Sequence, residues 1–217
     1  MNNINWYNNI YFQFPIFIDF DINSAVGKTS FILRYTKNTF NETYLTTIGI
    51  DFLSKNALLP NGEKYKVLFY DTAGQEKYLS IAFNLLKGAE GIILMYDITK
   101  RDTFESITGW IKSIKEVKGE NFPIALIGNK CDLNEERQVD KEEGENEAKK
   151  NGFLFFETSN KDGTNVEEAT TALISKVVEL RKKQNTEKDE TDQTSKKSYK
   201  LVAKKTKKKR HSCCQRK

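Results

Sequence analysis

Asn129-Lys130-Cys131-Asp132 sets an amide, a long cation and a carboxylate within four residues, and together they describe a pocket for guanine. The Asp132 carboxylate can accept from both the ring N1–H and the exocyclic amine of that base. Adenine would turn an acceptor toward the same carboxylate and leave its charge unpaired, so the pocket should reject ATP. Asn129 offers an amide to the other edge of the base, and the stem of Lys130 can lie over its face. Upstream, Asp71-Thr72-Ala73-Gly74-Gln75 reads as a sensor of a terminal phosphate. Gly27-Lys28-Thr29 reads as the end of a phosphate-binding loop. Backbone N–H groups at a helix start cradle phosphate there, Lys28 reaches the β- and γ-phosphates, and the Thr29 hydroxyl binds Mg²⁺. A bare Gly-Lys-Thr on its own is no more than a helix start. Here it stands in series with the other strings.

These strings need elements to hold them. A helix should start near Lys28 and run through Phe31, Leu33 and Tyr35. Residues 48–59 and 64–70 read as strands joined across Pro60-Asn61-Gly62-Glu63, where Asn-Gly favours a tight hairpin because both residues tolerate positive φ. The apolar runs Ile92–Tyr96, Pro123–Gly128 and Phe153–Phe156 read as buried strands, each ending at a loop that carries polar residues. Phe104, Ile107, Trp110 and Ile111 mark a helix between the first two of these runs. A last amphipathic helix is expected over about 166–183, turning Val166, Ala169, Ala172, Leu173 and Val177 to the sheet. Alternating strands and helices predict an α/β fold. It is a doubly wound, mostly parallel sheet of P-loop type with helices on both faces and ligand loops at the strand carboxyl ends.

Charge divides the chain. Residues 181–217 carry 15 Lys or Arg against 4 Asp or Glu, whereas the rest carries 20 against 26. The basic character belongs to the tail, so a nucleic-acid-binding domain is not indicated. Three cysteines, two of them adjacent, make no disulfide framework and read as cytosolic. No apolar run is long enough to span a bilayer, and the first 27 residues lack the Lys or Arg that opens a secretory signal.

With Ile48-Gly49-Ile50-Asp51-Phe52, Lys87-Gly88-Ala89, Glu157-Thr158-Ser159 and a terminal Cys213-Cys214 added to these strings, the chain resembles the small GTPases of the Ras superfamily, and the Rab family most closely. The resemblance covers roughly residues 24–180 and the extreme C-terminus. It implies that Ser24, Ala25, Val26, Gly27, Lys28, Thr29 and Ser30 surround the phosphates of GTP or GDP. Ser159, Asn160 and Lys161 would meet the base beside Asn129, Lys130 and Asp132; the usual middle residue is Ala, acting through its backbone N–H, which Asn160 keeps. Mg²⁺ would be held by Thr29, by Thr47 in the GTP state, and by Asp71 through a water. The Gly74 N–H would touch the γ-phosphate and Gln75 would orient the attacking water. No arginine stands near Gln75, so intrinsic turnover should be slow, on the order of 10⁻⁴ s⁻¹, until a GTPase-activating protein supplies charge.

The same resemblance implies an exchange factor, effectors that read Ile48, Gly49, Ile50, Asp51, Phe52, Tyr70 and Leu85, and escort and lipid-shielding extractor proteins. Cys213 and Cys214 would carry prenyl groups, and residues 198–217, with nine basic and no acidic side chains, would lie against an anionic leaflet. The expected place is the cytoplasmic face of an endomembrane or the plasma membrane, cycling with cytosol.

Three domains follow: an atypical segment 1–23, a GTPase domain 24–181 and a flexible basic tail 182–217. Segment 1–23 departs from the family. Ile22 stands where the phosphate loop has its first glycine, and Asp19 and Asp21 would fall in the central strand, where isolated carboxylates are costly. Either a mis-assigned exon replaces the first strand, or this is a divergent GTPase with loosened nucleotide binding. Tyr70 replaces the usual Trp and Leu85-Leu86 a Tyr pair, so effectors do not carry over. Two other functions stay open: a pseudo-GTPase interaction module with an impaired loop, and a Ras-like signalling GTPase.

Overall fold

The computed structural model describes residues 13–18, 25–42, 50–72 and 79–186. Ser24, Thr47, Ile48, Gly49, Gly74, Gln75, Cys213 and Cys214 lie outside them, as do Asp19, Asp21 and Ile22. The chain divides into two units, Met1–Val177 and Val178–Lys217.

The first unit is built on a six-stranded sheet in the order β2-β3-β1-β4-β5-β6. The strands are β1 (Gln13–Ile18), β2 (Ile50–Leu58), β3 (Lys64–Thr72), β4 (Gly91–Asp97), β5 (Ile124–Asn129) and β6 (Leu154–Thr158). Among the described strands only the β2–β3 pair is antiparallel. The helices are α1 (Lys28–Lys37), α2 (Leu79–Gly88), α3 (Arg101–Lys118) and α4 (Lys141–Asn151), with a short 3-10 helix at Cys131–Glu136. Helical residues 166–177, here α5, close the unit.

Every residue of β4 is buried, as a central parallel strand covered on both faces requires. Alternate side chains serve different layers. Ile92, Leu94 and Tyr96 join Leu86, Ile107, Ile111, Ile114 and Ala148 in one cluster, against α2, α3 and α4. Gly91 faces the other way, where an added Cβ would meet Val177 and Leu173 of α5 at 3.0 and 3.4 Å. The α3 residues Thr103, Ile107, Ile111 and Ile114 are buried at helical spacing. Each fully buried Ile or Leu contributes roughly 1.5–3 kcal/mol, so the two layers fix which strand ends meet at the carboxyl edge.

The first strand lies within the segment that resembles no GTPase start. Gln13–Ile18 pairs with Lys66–Asp71 of β3, and Ile16–Ile18 with Gly91–Ile93 of β4. The described part of the central strand is Gln-Phe-Pro-Ile-Phe-Ile, and Asp19 and Asp21 lie outside the described residues. Pro15 is tolerated at this central place because its carbonyl accepts from Glu90 N–H at 2.8 Å, toward β4. Its missing donor faces the same side, just ahead of the first β4 pair, so no bond of the β3 ladder is lost.

Two further expectations are corrected. In the β2–β3 turn only Gly62 takes positive φ, at 81°. Gly62 N–H donates to Leu59 O at 2.9 Å across Pro60 and Asn61, and a proline at the first central position fixes φ negative, which rules out a primed turn. On α5, Val166, Ala169, Leu173 and Val177 are buried as expected, but Ala172 is only half-buried and Ile174 takes a buried place. In the second unit, residues 178–186 are helical. Lys183 reaches Glu179 at 2.7 Å and the Thr186 hydroxyl donates to Lys182 O at 3.0 Å there, local bonds that extend the helix.

Candidate functional site

Three loops at the carboxyl edge of the sheet are joined by side-chain amides. The turn before α1 has two residues in the left-handed region, Ala25 at φ 82° and Gly27 at φ 101°. Gly27 is the N-cap of α1, and Phe31 N–H donates to Gly27 O at 2.9 Å to open the helix. From the end of β5, buried Asn129 donates its amide to Val26 O at 2.7 Å. Its Oδ1 accepts the Thr158 hydroxyl at 3.1 Å, which fixes which end of the amide faces the turn. From the loop after β6, Asn160 donates to Gly27 O at 2.9 Å. A Cβ on residue 27 would sit 2.4 Å from the Asn129 nitrogen and 2.8 Å from that of Asn160, so glycine is required by space as well as by φ.

The loop after β6 is itself shaped by short bonds. Ser159 Oγ accepts the N–H groups of Lys161 and Asp162 at 3.2 and 3.3 Å, and Asp162 accepts the N–H and hydroxyl of Thr164 at 2.8 and 2.6 Å. The Thr164 bonds hold the Asp162 carboxyl below its ordinary range. Arg34, near the end of α1, clamps this loop from outside, donating to Asn160 O at 2.7 Å and Lys161 O at 2.6 Å. Lys161 also pairs with Glu42 at 3.6 Å.

Lys130 takes φ 68° and sends its ammonium to within 2.5 Å of Asp97 Oδ2, a contact with the charge of an ion pair but not the angles of a hydrogen bond. The other oxygen of the fully buried Asp97 accepts Thr99 N–H at 2.9 Å and the Thr99 hydroxyl at 2.7 Å. This brace aligns the lysine beside the base loop. Asp132 follows at the solvent surface on the 3-10 helix, its carboxylate available to a ligand. Ile98 N–H donates to Asn129 O at 3.1 Å, tying the loops after β4 and β5 together.

At the end of β3, Asp71 is 1 % exposed and its Oδ1 has no hydrogen-bond partner among the described residues. Burial pushes its carboxyl up to about 6, against a hydrogen bond from Thr29 and the charge of Lys28, while Asp51 adds to the rise. A buried carboxylate with one orphaned oxygen beside a threonine hydroxyl is a hard-oxygen donor set, and it fits a Mg²⁺ ion. Ser30 and half-buried Thr29 stand in the first turn of α1 with buried Lys28.

On the adjoining face, Phe52 is 59 % exposed and meets Tyr70 edge-on, ring centroids 5.3 Å apart, in the cross-strand register that pairs them. Tyr70 and Leu85 both pack from their half-buried positions on the α2–α3–α4 cluster. Asp51 is exposed and accepts Phe52 N–H at 2.7 Å. Ile50 opens β2.

A model of the Ras family matches residues 23–179. "Ras-related protein Rab-13" from Canis lupus familiaris is 47% identical over 150 residues, 69% of this chain and 73% of the relative. "Ras-related protein Rab-8B" from Pongo abelii is 44% identical over 163 residues, 75% and 78% of the two chains. "Ras-related protein Rab-3C" from Bos taurus is 42% identical over 152 residues, 70% and 66%. The chain is a Rab small GTPase of the Ras family. As a Rab it binds guanine nucleotide and hydrolyses GTP to GDP and phosphate, with the dependence on GTPase-activating proteins that marks the family. Exchange factors, effectors and association with membranes come with the same membership, and among the described residues no helix is long and apolar enough to cross a membrane.

The Rab site contains two residues that sequence reasoning passed over. Arg34 gave no signal, because its partners lie 126 and 127 residues away. The Asn160 side chain gives no signal either, because the base contact at this position comes from a backbone N–H that any residue except proline supplies. A cavity of about 390 Å³ between α3 and α4, lined by Ile111, Lys112, Lys115 and Glu147 among others, includes none of the loop residues above.

Proposed function

We propose that this Rab is a membrane-anchored GTP/GDP switch of vesicle trafficking. The reading rests on one observation: the Asn129 and Asn160 amides converge on Val26 and Gly27 at the start of α1. The residues suited to guanine are thereby held against those suited to phosphate. Asp132 and Asn129 select guanine, Lys130 covers the base, and Ser159, Asn160 and Lys161 close the far side. Ser24 to Ser30 surround the phosphates, and Lys28 offsets their charge. Thr29, Asp71 through a water and Thr47 in the GTP state would hold Mg²⁺, which when bound neutralises charge on the phosphate oxygens.

Gln75 orients the water that attacks in line, and the Gly74 N–H senses the γ-phosphate. When that phosphate leaves, Thr47 and Gly74 lose their partner and the segments 40–52 and 72–84 relax. Effectors read the change through Ile48, Gly49, Ile50, Asp51, Phe52, Tyr70 and Leu85. Prenyl groups on Cys213 and Cys214, added with an escort protein, anchor the chain at the cytoplasmic face of an endomembrane or the plasma membrane. An extractor that shields both lipids returns it to the cytosol. A pseudo-GTPase is favoured by one feature, Ile22 in place of the loop glycine.

Single-turnover hydrolysis separates the two readings. The chain should convert bound GTP slowly, and Gln75→Leu should slow that conversion at least about tenfold while leaving GDP affinity unchanged. Equal rates in both forms would contradict the assignment of Gln75.

A further inference from the structure

We infer that the Asn160 side chain is a positioning residue, a latch that couples the guanine loop to the phosphate loop and slows nucleotide release. The inference deepens the switch reading and rests on it. Its backbone N–H is the expected base contact, and an alanine would supply that equally well. The side chain does something else. Asn160 Nδ2 donates to Gly27 O at 2.9 Å, the same carbonyl that accepts Phe31 N–H to open α1. That carbonyl sets where the first turn of α1 points, and the free N–H groups of this turn are the anion-binding end of the helix. A bond to it from the loop after β6 makes the direction of the helix start depend on the position of the base-binding loop.

The latch is well held at its own end. Arg34 takes the Asn160 and Lys161 carbonyls at 2.7 and 2.6 Å, and Ser159 Oγ collects the next two N–H groups. Asn160 is 4 % exposed, and its amide nitrogen fills space beside Gly27 in which a Cβ would stand at 2.8 Å. With Asn129 bonded to Val26 O on the adjacent peptide, two successive carbonyls of the phosphate loop are fixed by two different base loops. Guanine leaving its pocket must therefore loosen the phosphate grip, and the reverse.

Stability alone does not account for the side chain. Asn160 Oδ1 is buried and has no hydrogen-bond partner among the described residues. An orphaned acceptor offsets much of what the single Nδ2 bond contributes to folding. Removal of the whole amide should then leave overall stability nearly unchanged while freeing the loop.

The test is the rate of GDP release from Mg²⁺-loaded full chain, measured with a fluorescent GDP analogue, for the unmodified protein, Asn160→Ala and Asn160→Asp. Asn160→Ala should release GDP about three- to tenfold faster, the worth of one part-buried hydrogen bond, with a melting temperature within a few degrees of the parent. Asn160→Asp keeps the volume but turns an acceptor toward Gly27 O, and should release at least as fast. Unchanged release in both variants would overturn the latch, as would acceleration that tracks a general loss of stability. A chain that holds no guanine nucleotide in any form would overturn the switch itself and the latch with it.

Discussion

At the scale of single residues, the site keeps groups that folding alone would not select. Asp71 is buried, with one oxygen unpartnered among the described residues and its carboxyl raised from 3.8 to about 6. Because the folded pKa lies above the unfolded one, the folded, cation-free chain binds the proton more tightly. Stability therefore falls as pH rises between about 4 and about 6, and at pH 7 the ionised group costs on the order of 3 kcal/mol. Asp71→Asn should melt higher than the parent at pH 7 in chelator, with the gap closing as pH falls toward 4. The same variant should lose the extra stability that Mg²⁺ gives the parent. Thermal unfolding with chelator and with Mg²⁺ checks both, and a variant less stable than the parent in chelator at pH 7 would contradict the account. Gly27→Ala should fail differently, losing nucleotide, because its methyl would strike the Asn129 amide at φ 101°.

At the scale of elements, the strands and helices that aim these residues were largely readable in the sequence. Ile92–Tyr96 and Pro123–Gly128 are apolar enough to declare buried parallel strands, and polar residues directly after them could only lie at the carboxyl edge. Cross-element partners were not readable. Nothing near Arg34 announces two carbonyls on the far side of the chain, and nothing near Asn160 announces Gly27. The strand at Gln13–Ile18 is apolar apart from Gln13, but it precedes the family-like strings and carries Pro15, so nothing in the sequence marks it as central.

Helix α4 gives an element-scale prediction. Gly144 costs helix propensity in its middle, yet an added Cβ would lie 2.3 Å from Tyr96 Oη and 2.6 Å from Phe155 Cε2. Gly144→Ala should therefore destabilise the fold by about 2 kcal/mol despite alanine's better propensity, read as a lowered denaturant midpoint. On the β2–β3 face the opposite is expected. Phe52→Ala, at an exposed position, should change stability by less than about 1 kcal/mol and act instead on effector binding.

At the scale of the whole molecule, an acidic domain and a basic tail have separate tasks. The Rab domain carries the nucleotide loops, and on the proposed reading residues 198–217, with nine basic side chains and a cysteine pair, would bring the chain to a membrane. After prenylation, the chain should float with vesicles that contain anionic lipid. Replacing both Cys213 and Cys214 with Ser should leave only salt-sensitive attachment through the basic residues, each worth about 1 kcal/mol before screening. Flotation of that variant undiminished at high salt would contradict the anchor.

The central claim is that these loops hold a guanine nucleotide even though Ile22 stands where the family has glycine. The most direct test is to denature the purified full chain and Ile22→Gly and identify the nucleotide each releases by chromatography. The account predicts close to one guanine nucleotide per chain from both proteins, and no adenine nucleotide. A full chain that releases none, whether or not glycine restores it, would contradict the claim.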